Sequence, residues 1–193
     1  MIQLSVNEIF ERVNQKYSGS KRLTHILGVA ELAKELAIKF NLDENKAYIA
    51  GLLHDYYKYE TTEEMLEVIN DKIVEEKFKT APQLYHAYAS SVAANIEFGI
   101  RDEEILNAIK YHVYGRKNMT LMEKILVISD FAESSRPYPR CKEVRQILED
   151  GHFDLAMYLC IKYTIESVLT SGNTPLDEQY EILEQLQELV KEN

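Results

Sequence analysis

The chain has 193 residues, of which 46% are hydrophobic and 28% charged, with a formal net charge of −10. That length suits a single domain, taken as 1–193, with a core of useful size. The acidic balance speaks against sequence-independent binding of a nucleic-acid polymer, which rests on clustered Lys and Arg, but leaves room for a small phosphate ligand beside a metal.

No apolar stretch approaches the ~20 residues a membrane helix needs. The start, MIQLSVNEIFERV, has neither the basic flank nor the long apolar segment of a signal peptide. Cys141 and Cys160 are far from any CxxC spacing and read as free thiols in a reducing cytoplasm.

Seven glycines and four prolines leave little punctuation, so the chain reads as helices joined by short turns, an all-α fold. Ser5 to about Tyr17 is a first amphipathic helix, with Ile9, Phe10 and Val13 inward. Ser20 caps a second helix that runs to Phe40, with a stripe of Val29, Leu32, Ala33, Leu36 and Phe40. Asp43 opens a third that ends near Asp55. Thr61-Thr62-Glu63-Glu64 has the capping-box pattern of another helix start. Pro82 precedes a helix through LYHAYASSVAANIEF, which Gly99 closes. Asp102 starts the next, to His112, and Thr120 starts a buried one through Asp130. The strongest break, SSRPYPR at 134–140, separates this motif core (about 20–140) from two or three C-terminal helices (about 142–192).

Four of the five histidines fall on inward faces. His25 shares a stripe with Val29, Leu32 and Leu36; His112 shares one with Ile105, Ala108 and Ile109. His86 sits near Ala89 and Ala93, and His54 follows Leu52-Leu53 in GLLHDYYK. Asp130 lies in LMEKILVISD, a helix too apolar for a surface, where an unpaired carboxylate is costly. Each alone has an ordinary explanation: a lone core histidine is more often hydrogen-bonded than metal-bound, and Asp130 alone could be half of a buried ion pair. His152, after Gly151, reads as surface. Four inward histidines and two inward carboxylates on separate helices are instead the makings of a shell for two divalent metals. Imidazole plus carboxylate suits Fe, Mn or Zn better than Mg or Ca.

The order His25, His54-Asp55, Asp130 resembles the H…HD…D signature of the HD-domain metal-dependent phosphohydrolases. His86 and His112 match the two extra histidines of its dinuclear members. The segments KRLTHILGVAELAKELA, KAYIAGLLHDYYK, FGIRDEEILNAIKYH and MTLMEKILVISDFAESSRPYP resemble the YqeK-type bacterial symmetrical diadenosine tetraphosphate hydrolases, over roughly Lys21 to Gln146. The chain departs from that pattern at Val113-Tyr114, where two threonines are usual; at Ser129, where alanine is usual; and at Ser134, where proline is usual.

The resemblance implies an HD-domain helical bundle and six metal ligands. His25, His54, Asp55 and Asp130 would take one ion. His86, His112 and Asp55 would take the other, with Asp55 bridging. It implies iron as the metal; residue types alone leave manganese open. The implied reaction is cleavage of diadenosine tetraphosphate into two ADP by a hydroxide activated between two metals. Arg22, Lys58 and Arg136 are expected to bind phosphate, Asp55 and Lys58 to act in catalysis, and Gly115 to give backbone freedom to a loop over the site. Tyr56, Tyr57, Tyr85, Tyr88, Tyr111 and Tyr114 crowd the motif segments, and one or two of them could stack on a base. The alternatives are an HD-type nucleotidase or (d)NTP phosphohydrolase, or a nucleotide-binding protein with a non-catalytic metal. A cyclic-dinucleotide phosphodiesterase is disfavoured, since no GYP follows the HD pair. The expected state is a monomer or homodimer, with a small-molecule nucleotide as the partner and neither nucleic-acid polymer nor membrane.

Overall fold

The computed structural model describes residues 4–192, and within them it is helical throughout, with no strand. Met1–Gln3 and Asn193, part of the expected single domain, lie outside the described residues. The helices are α1 (Val6–Tyr17), α2 (Lys21–Lys39), α3 (Glu44–Leu53), α4 (Thr62–Ile69), α5 (Lys72–Lys77), α6 (Tyr85–Ile96), α7 (Glu103–Tyr111), α8 (Leu121–Ala132), α9 (Pro139–Glu149), α10 (Phe153–Thr170) and α11 (Asp177–Glu192). A 3₁₀ turn, Pro82–Leu84, leads into α6.

The starts follow side-chain chemistry. Ser5, Thr61 and Thr120 each form a reciprocal capping box with the glutamate three residues on. Ser20, Asp43 and Asp102 accept from first-turn amides of α2, α3 and α7. Gly99, at φ +72°, takes the left-handed conformation that turns the chain after α6.

The differences from expectation are local. α3 ends at Leu53, two residues before Asp55, and residues 54–59 form turns. The Tyr17 hydroxyl lies 3.0 and 2.9 Å from the Asp55 and Tyr56 carbonyls, which are thereby drawn out of a continuing helix. α8 runs two residues past Asp130. α5 was not anticipated; it buries none of its six residues and so has no apolar stripe to read. Phe10, Leu32 and Phe40 are half-buried against the core, whereas Ile9, Val13, Val29, Ala33 and Leu36 lie within it.

α3 is the hub, packing against α1, α2, α6, α7 and α8. Its residues Ala47, Ile49, Ala50, Gly51, Leu52 and Leu53 are all buried. The tightest approach is at Gly51, where a Cβ would stand 2.4 Å from the Ala30 Cα on α2. One hydrophobic cluster runs from Ile9 through α2, α3, α7 and α8 to Ile161, Ile182 and Leu186 of the C-terminal helices. The 133–138 connection does not divide that core, because Arg145 on α9 donates back to the carbonyls of Ala132, Glu133 and Arg136. A smaller cluster under α4 and α5 gathers Phe78, Tyr85, Tyr88 and Tyr114. This architecture aims the C-terminal end of α3, the first turns of α2 and α6, and the last turns of α7 and α8 at one place.

Candidate metal centre

At that place four imidazoles stand in a row. His25 from α2 meets His54 edge-on at 5.3 Å between ring centres, His54 meets His112 at 4.9 Å, and His112 meets His86 at 5.3 Å. All four are buried. Their orientations are set from behind. The Nδ1 atoms of His54, His86 and His112 lie 2.7, 2.6 and 2.7 Å from the carbonyls of Gly51, Gln83 and Ile109, each three residues earlier. A carbonyl can only accept, so each Nδ1 carries the proton and each Nε2 faces the cluster with a bare lone pair. His25 Nδ1 lies 3.1 Å from Glu133 Oε1 and does the same toward a carboxylate.

Asp55 divides the row. Its Oδ2 faces His54 Nε2 at 3.4 Å and His25 Nε2 at 3.7 Å; its Oδ1 faces His86 Nε2 at 3.2 Å and His112 Nε2 at 3.7 Å. Asp130 Oδ1 closes one end, 3.0 Å from His25 Nε2 and 3.8 Å from His54 Nε2. Two groups, His25–His54–Asp130 and His54–Asp55–His112, each have ligand atoms within 4.8 Å of one another. All six predicted ligands therefore converge. His86 lies outside the second compact group, where His54 takes its place; it reaches the centre through Asp55 Oδ1 and Lys58, whose Nζ donates to His86 Nε2 at 3.1 Å.

Acceptors dominate this cluster, which is the fit test for a metal. Imidazole lone pairs face carboxylate oxygens, and buried Asp55 Oδ1 has no hydrogen-bond partner. Such an arrangement wants cations. In the protein alone they are Arg22, Nη1 to Asp55 Oδ2 at 2.5 Å; Arg136, Nη2 to Asp130 Oδ1 at 2.8 Å; and Lys58, Nζ 3.8 Å from Asp55 Oδ1. Nitrogen and carboxylate donors in two linked groups fit divalent transition metals.

The protonation states agree. Burial pushes the Asp55 carboxyl up, yet it is held well below its ordinary range, with the Arg22 guanidinium on Oδ2 and the Lys58 ammonium near Oδ1. Asp130 is likewise held low against burial, by His25 and Arg136. Burial pushes His54 and His86 down, which keeps them neutral. For His25 burial also pushes down, but Asp130 and Glu133 prevail and raise it. A metal held there would have to displace a proton.

Glu133 is a residue of the centre that sequence reading passed over. It is fully buried, accepts from the Ser135 amide and hydroxyl at 2.6 Å each, and presents Oε1 to His25. Its room comes from Gly28 on α2, where a Cβ would stand 2.5 Å from Glu133 Oε2. The available signal was a second acid three residues after Asp130 on an apolar helix.

The tyrosines sort by burial. Tyr56, Tyr85, Tyr88 and Tyr114 are buried, and Tyr57 and Tyr111 half-buried. Tyr114, at the departure from the usual threonines, packs on Phe78 and lies 3.0 Å, oxygen to oxygen, from the Tyr88 hydroxyl, so the change fills core. Ser129, the other departure beside Asp130, is buried with an unpartnered hydroxyl, and nothing in the structure explains it. Gly115, at φ +73°, is buried; a Cβ there would meet Met119 and Ile161, at 3.2 and 3.5 Å, so what the backbone requires of it is the left-handed turn. His152 is exposed, as expected. A cavity of about 550 Å³ reaches the centre at His25, and Arg22, Glu133, Arg136, Tyr59 and Tyr138 are among its other lining residues.

A family model described as the HD domain matches residues 22–148. The chain is 40% identical over 145 residues to the symmetrical bis(5′-nucleosyl)-tetraphosphatase of Bacillus subtilis, covering 75% of this chain and 77% of the relative. To the enzyme of that name from Staphylococcus aureus it is 32% identical over 157 residues, covering 80% and 81%. A crystal structure from Clostridium acetobutylicum, described as an HD superfamily hydrolase involved in NAD metabolism, superposes with a TM-score of 0.88 at 32% identity, covering 97% and 99% of the two chains.

Proposed function

The chain is a hydrolase of the HD-domain family, and we propose that it splits diadenosine tetraphosphate at its central anhydride to give two ADP. The observation that carries the reading is the division of four Nε2 lone pairs between the two oxygens of Asp55, with three cationic side chains alongside. The tetraphosphatase names of relatives at 32–40% identity support the substrate class.

His25, His54, Asp55 and Asp130 would hold one divalent ion and Asp55, His86 and His112 a second, with iron the first metal to test. Ions held there supply Lewis acidity, which lowers the pKa of water and neutralises phosphate charge. The chain's own residues do the rest. Asp55 keeps the two halves at fixed separation. Glu133 and the three carbonyls behind the histidines hold every ring in its ligating tautomer. The leaving group is a nucleoside diphosphate, itself a weak base, so it needs positive charge more than a proton. Arg22, Arg136 and Lys58 provide that charge. Each is now paired with a ligand carboxylate, so phosphate binding exchanges one anionic partner for another.

The test is incubation of iron-loaded and manganese-loaded protein with diadenosine tetraphosphate, with products resolved by chromatography. ADP alone is expected. AMP plus ATP would overturn the symmetrical cleavage, and no turnover with any metal would remove the substrate. His54→Ala and Asp55→Ala should each lower kcat by at least a thousandfold while circular dichroism stays helical.

A further inference from the structure

Of the seven exposed large apolar or aromatic side chains among the described residues, two line the cavity over the metal centre: Tyr59, 64% exposed, and Tyr138, 61% exposed. The others, Ile38, Ile73, Ile96, Leu169 and Tyr180, line none of its wall. Neither tyrosine serves the core. Tyr59 leans edge-on against Tyr17, and the Arg22 guanidinium lies 5.6 Å from its ring centre. Tyr138 precedes α9 as its N-cap residue but caps nothing with its side chain.

Their attachment to the centre is paired. Tyr59 is joined to it through Arg22, which holds Asp55; Tyr138 follows by two residues Arg136, which holds Asp130. His25 stands between the two carboxylates, 3.7 Å from one and 3.0 Å from the other. By contact from Tyr59 to Arg136, and by chain adjacency and a shared cavity wall from Arg136 to Tyr138, the order thus reads aromatic, cation, carboxylate, imidazole, carboxylate, cation, aromatic. A dinucleotide cut at its middle has the matching order of base, phosphates, scissile bond, phosphates, base.

We propose that Tyr59 and Tyr138 are two base platforms, one for each nucleoside of the substrate, and that they make the site select a molecule with two bases over one with a single base. The proposal rests on the functional reading above and deepens it. Aromatic rings stack on any nucleobase without hydrogen-bond readout. The selectivity is therefore for number and spacing of bases, with little discrimination between adenine and guanine. The two arginines fix the phosphates between the platforms.

The experiment compares diadenosine tetraphosphate with adenosine 5′-tetraphosphate on the metal-loaded full chain, in Tyr59→Leu, Tyr138→Leu, the double Leu variant and the corresponding Phe variants. Each Leu substitution should raise KM for the dinucleotide about tenfold, the scale of one lost base stack. The double variant should lose the wild-type preference for two bases, and the Phe variants should stay within about twofold of wild type. Both side chains are exposed, so the variants should melt with the wild type. KM for the dinucleotide unchanged in both Leu variants, or a preference that survives in the double variant, overturns the platforms. Should the wild type leave the dinucleotide intact, the functional reading falls by itself. The platforms are then judged by ADP binding in calorimetry, where weakening of about tenfold in the double Leu variant supports them and an unchanged Kd overturns them.

Discussion

Glu133 illustrates how much one side chain does at this centre. It is buried as a carboxylate, receives two donors from Ser135, and fixes His25 so that Nε2 points inward. Burial raises its pKa, but His25 and Ser135 hold it below the ordinary glutamate range. Glu133→Gln keeps the size but turns an NH₂ toward either His25 or the Ser135 donors, and both arrangements set donor against donor. Metal affinity should fall about 10- to 100-fold, the usual cost of losing a carboxylate behind a ligating histidine. Competition with a chromogenic chelator measures it; affinity equal to wild type would remove Glu133 from the site. Sequence reading marked the six residues of the centre because their types and order resemble the H…HD…D signature, and because several of them fall on apolar helix faces. It passed over Glu133 because a glutamate at a helix end reads as surface, and only the fold closes Ser135 and Gly28 around it.

Among the elements, α3 sets the precision of the centre. Gly51 lets α3 lie against the α2 backbone at Ala30, and its carbonyl holds the His54 Nδ1 proton. One residue thus links helix packing to ligand orientation. In Gly51→Ala the added methyl meets backbone, which has no rotamer to yield, so the helices must separate. We expect a loss of roughly 1–3 kcal/mol, the range for overpacked cores. At this chain length that corresponds to about 2–12 °C in Tm, read by thermal denaturation of the metal-free protein. Metal content after purification should fall with it, since His54 moves with α3. A wild-type Tm would show that the α2–α3 approach is looser than described. The starts of α1, α4 and α8 were legible because capping is local in sequence; α5 was not, since none of its six residues is fully buried.

For the molecule as a whole, the buried charges make metal-free stability depend on pH. His54 and His86 have pKa values below 6.5, so they take up protons on unfolding and stability drops as pH falls below 6.5. His25 acts oppositely: its raised value adds stability that is full below 6.5 and lost as pH rises through that raised value. Asp55, Asp130 and Glu133 are depressed, so their contribution is present above the ordinary 3.8 to 4.5 and is lost as pH falls through their lower folded values. The histidine contributions oppose one another between pH 5 and 7, whereas the three carboxylates act together, so Tm of the metal-free protein should fall steeply below about pH 4. A metal that binds only the folded state adds about 2.7 kcal/mol at a hundred times its Kd. Loaded protein should therefore melt several degrees higher at pH 7, with the gap closing on acidification as protons displace the metal. Melting curves with and without chelator across pH 4–8 measure both; a gap that widens in acid would contradict histidine ligation.

The sequence by itself determined the helical class, most helix starts and the six residues of the centre. Those are consequences of local chemistry: which residues cap, which recur at helical period, and which cannot be buried without a partner. Only the tertiary structure decided which oxygen of Asp55 faces which histidines, that His86 shares its lone pair with Lys58, and that Tyr59 and Tyr138, not the six tyrosines of the motif segments, stand open to the cavity. Periodicity says which way a side chain leaves its own helix. How far and at what rotation two helices meet is set by packing between residues distant in the chain, as at Gly51 and Ala30, and that distance is what turns six ligands into one site.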